Sequence, residues 1–106
     1  MPDEAPTYAI RDNVEEHRFE ADLGDGSFAV AQYYLRDGKI VFTHTEVPTS
    51  HEGQGIGSAL IRFALASARE RGLIVIPICP FVGAYIKKHV EEQDLVDPAY
   101  RERLGL

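Results

Sequence analysis

His44 and Glu46 stand two residues apart in "KIVFTHTEV", whose alternation predicts a β-strand. Alternate side chains share a face, so Ile40, Phe42, His44 and Glu46 would line one side and Val41, Thr43, Thr45 and Val47 the other. The first face begins apolar and turns ionisable at its carboxyl end. Glu46 or His44 could there take a proton from an amine, directly or through water; a solvated strand end is the plainer alternative. The chain then reads "EVPTSHEGQGIGSAL", with Gly53, Gly55 and Gly57 at alternate positions ahead of a helical pattern. A helix N-terminus offers unpaired N–H groups and the positive end of the macrodipole to an anion. Glycines remove the Cβ atoms that would hold a phosphate away. The rival is a flexible connection with a weak helix start. Cys79, in "ICPF", lies between an apolar β-branched run and Pro80, a residue suited to a first helical turn. A helix N-terminus favours thiolate, whereas an isolated cysteine is otherwise a small buried hydrophobe. Lys87, Lys88 and His89 form a basic cluster that suits a phosphate or a solvated helix face. His17 and His51 have no partners at metal-ligand spacing, so no metal is expected.

The elements that must position these groups follow from periodicity and punctuation. Residues 1–13 carry Pro2 and Pro6 without periodicity and are expected to form a flexible N-terminal arm, with a single domain over 14–106. A weak surface strand is expected over 14–23, followed by a turn at Gly24–Gly26. "SFAVAQYYLR" alternates as a strand, and Asp37-Gly38 suits a tight hairpin into "KIVFTHTEV". "IGSALIRFALASARERG" predicts a helix closed by Gly72, with Ile56, Leu60, Phe63 and Ala64 or Ser67 on one stripe. "LIVIPIC" predicts a central strand covered on both faces. One or two short helices complete the chain. Three antiparallel strands thus lead into a strand–helix–strand crossover, whose strands should pair in parallel. The fold class is α+β.

Composition limits the function classes. The chain has 106 residues, room for one core, and 44% hydrophobic with 26% charged residues describes a globular domain. A net charge of -6 argues against a nucleic-acid partner. No apolar run approaches the ~20 residues that cross a bilayer, so no membrane is expected. One cysteine permits no internal disulfide, and the N-terminus is unlike a targeting peptide; a cytoplasmic location follows as the expectation.

The glycine segment lacks the lysine that a Walker loop places after its last glycine. A dinucleotide fingerprint would need Gly or Ala at Ser58 and a longer series of strand–helix units. The segment instead resembles the acetyl-CoA loop of the GCN5-related N-acetyltransferases, Q/R-x-x-G-x-G/A, with Gly55-Ile56-Gly57 in its second half and Glu52 where the pattern has Gln or Arg. With "FTHTEVP" before it and "VIPICPFVGAYIKKH" after it, the stretch from about Phe28 to Val96 resembles the small, single-domain YjdJ-like members.

The resemblance implies a minimal acetyltransferase fold whose middle parallel strands splay apart around the pantetheine arm, which would also accommodate Pro77. It implies acetyl-CoA as cosubstrate and an amine as acceptor. The CoA phosphates would meet Glu52, Gly53, Gln54, Gly55, Ile56, Gly57 and Ser58, with Lys88 near the ribose phosphate. A backbone N–H near Val47 would polarise the thioester carbonyl. Cys79 matches a proposed catalytic cysteine of the YjdJ-like group and Tyr85 the tyrosine that protonates departing CoA. The amine would be acetylated directly, with Glu46 or His44 as base, or through an acetyl-Cys79. The other reading is a non-catalytic acyl-CoA-binding or protein-interaction module, and the protein would be a monomer or weak dimer.

Overall fold

The structure, a computed structural model, describes residues 8–106. Five strands form one sheet in sequence order: β1 (Ala9–Asn13), β2 (Arg18–Asp22), β3 (Phe28–Arg36), β4 (Lys39–Glu46) and β5 (Ile74–Pro77). The first four run antiparallel, and β5 pairs parallel with β4. Helix α1 (Ile56–Glu70) makes the crossover, α2 (Pro80–Lys88) follows β5, and α3 (Pro98–Leu104) ends the chain after a 3₁₀ segment at Val90–Leu95. The α+β architecture and the parallel crossover agree with the sequence pattern.

Local chemistry explains the boundaries. Asp37 and Gly38 both have positive φ, 50° and 78°, the geometry a two-residue hairpin turn needs to match strand twist. Gly72, at φ 67°, closes α1. Helix α1 buries Ile56, Leu60, Ile61, Ala64, Leu65 and Ala68, and these meet Phe19, Ala29, Ala31, Tyr33, Ile40 and Phe42 from the sheet. Val82, Tyr85 and Ile86 of α2 join the same cluster, so both helices serve one core.

Several expectations are corrected. Residues 1–7 of the expected arm lie outside the described residues, but Ala9–Asn13 of it is strand β1, paired with β2. The turn between them has no glycine; His17 itself takes φ 57°. Strand β5 is an edge strand, not a central one. Ile74 at its start is exposed, so the apolar run is not covered on both faces. Its edge position also explains Pro77, which can lack an N–H without breaking a ladder. Phe63 is half-exposed and lies off the buried stripe of α1.

The correction that matters most concerns β4. Tyr33 pairs with Phe42 but Gln32 pairs with His44, so Thr43 is an extra residue, a β-bulge. The inserted residue resets the alternation. Thr45, opposite Ala31, comes to the face of Phe42 and Tyr33, while His44 and Glu46, opposite Gln32 and Val30, turn to the other. The single ionisable face extending from Ile40 and Phe42 therefore does not exist.

Candidate functional site

A cleft of about 430 Å³ opens where the carboxyl end of β4 meets the start of α1. Thr45 and Val47 form one wall, brought there by the bulge. His51 and Glu52, then Gly53, Gly55, Ile56, Gly57 and Ser58, form the loop side, and Phe81 of α2 completes the cleft.

The three glycines have different tasks. Gly53 and Gly55 have φ of 85° and 79°, and each faces open space. Gly55 is the N-cap of α1, and among the described residues no side chain caps the helix. The first helical bond within α1 runs from Ala59 N–H to Gly55 C=O at 3.0 Å, so Ile56, Gly57 and Ser58 N–H precede the internal ladder at the cleft. Gly57 instead makes room for a neighbour at the cleft: a Cβ there would lie 2.6 Å from Phe81 Cζ. Charge at the cleft is sparse. Of the described residues that line it, Glu52 and His51 are the ionisable ones. His51 Nδ1 lies 3.0 Å from Ser50 Oγ, and its Nε2 lies 3.6 Å from Asp25 Oδ2 in the β2–β3 turn. Hydrogen bonds from the Ser27 hydroxyl and N–H hold the Asp25 carboxyl below its usual range, and the charge of His51 adds to the effect.

Beyond the last β4–β5 pair, Phe42 with Pro77, one more bond runs from Cys79 N–H to Phe42 C=O at 2.9 Å. The two segments then part: β4 continues to Glu46, while the other chain turns into α2 at Pro80. Cys79 is the N-cap of α2 and is 4% exposed, with Sγ 3.3 Å from Thr45 Oγ1. It thus stands behind a residue that lines the cleft.

Of the residues singled out from the sequence, Val47, Glu52, Gly53, Gly55, Ile56, Gly57 and Ser58 line this cleft together. Gln54 is exposed in the same turn without lining it. His44 and Glu46 meet each other, Nε2 to Oε1 at 3.6 Å, with side chains 56% and 70% exposed on the other side of the strand. Tyr85 is buried, stacked on His89 at 3.8 Å, and is absent from the cleft lining. Burial, reinforced by the charge of Glu92, pushes its phenol above the ordinary value. Lys88 sits in the last turn of α2, whereas Phe81 in the first turn lines the cleft. At ~1.5 Å per residue that is about 10 Å along the helix axis. Thr45, His51 and Phe81 were not among the sequence candidates. The signal for Phe81 was present in Gly57, whose missing Cβ implies a close neighbour. For Thr45 there was none, because the bulge arises from pairing. Among the described residues no cluster of His, Cys, Asp and Glu could hold a metal, and no helix is long and apolar enough to cross a membrane.

An antiparallel meander and a parallel crossover place a glycine-entered helix start at the splay. The family model of the GCN5-related N-acetyltransferases matches residues 18–95, and the chain belongs to that family. The chain is also similar to the NMR solution structure of a GCN5-like candidate N-acetyltransferase from Staphylococcus aureus. The two are 28% identical with a TM-score of 0.66, over 84% of this chain and 87% of that one. No curated protein sequence matches it.

Proposed function

We propose that the protein is an acetyl-CoA-dependent N-acetyltransferase of the small, single-domain YjdJ-like kind, acting on an amine. One observation carries this reading: the bare N-terminus of α1, with Gly53 and Gly55 in left-handed conformations, opens onto the cleft beside the β4–β5 splay. The donor set fits the ligand. The N–H groups of Ile56, Gly57 and Ser58 would hold a diphosphate. Val47 and Phe81 offer apolar walls for the pantetheine, and the main chain at Val47 an N–H for the thioester oxygen.

The bulge separates donor from base. With the CoA ester in the cleft, the amine would reach the splay from the side carrying Glu46 and His44. Glu46, or His44 beside it, takes a proton from the ammonium; the free amine forms the C–N bond, the thioester C–S bond breaks, and the remaining extra proton on nitrogen passes through water to the departing CoA thiolate. Direct transfer suits Cys79, whose buried thiol is engaged with Thr45, better than a covalent role. Tyr85 and Lys88, away from the cleft lining, are not needed for this reading.

Thermal unfolding with acetyl-CoA is the first test. Ligand at about 100 times its Kd should add about 2.7 kcal/mol, a rise of roughly 10 °C or more for a domain of this size. An unmoved melting temperature at millimolar ligand sinks the reading. Turnover is then assayed with polyamines, amino acids and lysine peptides. Binding without turnover of any of them would favour the non-catalytic module, the alternative that the acidic Glu52 at the cleft suggests. Cys79→Ala should retain activity; recovery of acetylated Cys79 in the absence of acceptor would instead establish the covalent route.

A further inference from the structure

The anion site inferred at α1 has an electrostatic difficulty: the protein carries a net charge of -6, and Glu52 adds a carboxylate to the cleft lining itself. A diphosphate brought there meets backbone N–H groups and one like charge. Of the residues lining the cleft, His51 is the one whose side chain can carry a positive charge. Its Nε2 lies 3.6 Å from Asp25 Oδ2, and Nδ1 lies 3.0 Å from the Ser50 hydroxyl, an acceptor for a second ring proton. The side chain is 18% exposed, so its ring is held against the loop rather than extended into solvent. Asp25 stays ionised because Ser27 donates to it from both N–H and hydroxyl, at 3.0 and 2.6 Å. Asp25 from the β2–β3 turn thus faces the ring, and Glu52 of its own loop shares the cleft lining with it.

We propose that His51, oriented by Asp25, is a phosphate-specificity residue: as imidazolium it offsets Glu52 and supplies the cation that the loop otherwise lacks for a diphosphate ester. This rests on the acetyl-CoA reading above. Affinity for the diphosphate then rises at lower pH, since the protonated ring is the attractive form.

Dephospho-CoA is the probe, because its diphosphate keeps its charge through this range while the 3′-phosphate of CoA would titrate. By calorimetry, the wild-type protein should bind it about 5- to 10-fold more tightly near pH 6 than near pH 8, the scale of one nearby unit charge in a solvated cleft. His51→Gln should flatten that dependence and bind at about the wild-type pH 8 level throughout. Asp25→Asn should weaken binding near pH 6 with little effect near pH 8. An unchanged melting temperature in each variant would establish that neither change acts through folding. If His51→Gln keeps the wild-type affinity and pH dependence, the role of His51 is overturned while the acetyl-CoA reading stands. If the wild-type protein binds neither CoA nor dephospho-CoA at any pH, the acetyl-CoA reading falls and this proposal falls with it.

Discussion

Gly55 and Gly57 are separated by one residue, yet alanine should do opposite things at the two positions. At Gly55 the backbone has φ 79°, which an L side chain adopts at a cost of about 1–2 kcal/mol, although the added Cβ would meet nothing. Gly55→Ala should therefore lower stability by about that amount and disturb the entry to α1. At Gly57 the backbone is helical, so alanine gains up to about 1 kcal/mol in propensity. Its Cβ would press on Phe81 Cζ, the far end of a side chain 42% exposed and free to swing aside. Gly57→Ala should leave stability within about 1 kcal/mol of wild type while displacing Phe81 in the cleft, so acetyl-CoA affinity falls severalfold. Chemical denaturation and calorimetry on both variants test the contrast. Equal losses of stability would show that Phe81 cannot yield.

Between elements, Asp97 ties the last helix to the sheet. Its side chain accepts from Ala99 N–H at 2.8 Å as the N-cap of α3 and pairs with Lys39 Nζ at 2.9 Å, while its own N–H donates to Val75 C=O at 2.9 Å. The hydrogen bond from Lys39, followed by that from Ala99, holds the carboxyl below its usual range. A depressed carboxyl stabilises the fold above its unfolded pKa, near 4, and loses that contribution as pH falls through the lower folded value. Asp97→Asn should lower the melting temperature by about 5 °C at neutral pH and by less near pH 3; an equal deficit at both would remove the charge from the explanation. Such elements differ in how far the sequence reveals them. Asp37-Gly38, Gly72 and Pro80 state local backbone needs, and each turn or helix end falls where those residues stand. The β1–β2 turn hides because His17 takes positive φ without a glycine, and the Thr43 bulge hides because two-residue periodicity cannot register an inserted residue. That one residue is why the loop side of the cleft was legible from Val47 to Ser58 whereas the facing of His44, Glu46 and Thr45 was not.

Over the whole molecule, charge should choose among acceptors. A net charge of -6 on 106 residues produces a field that attracts cations from beyond contact distance. The exposed His44–Glu46 pair, across β4 from the cleft, lies where an ammonium would approach. The field is screened over about 10 Å at 0.1 M salt, whereas the proton transfer proposed for Glu46 or His44 would be local and unscreened. Screening should therefore weaken capture of a polycation without changing the chemical step. For a triamine or a lysine-rich peptide, raising salt from about 20 to about 200 mM should lower kcat/KM severalfold through KM, with kcat steady. A peptide whose amine is flanked by glutamates should respond in the opposite sense, since screening relieves repulsion. Parallel salt dependences for the two acceptors would mean that the acidic surface plays no part in acceptor selection, leaving that choice to contacts around Glu46 itself.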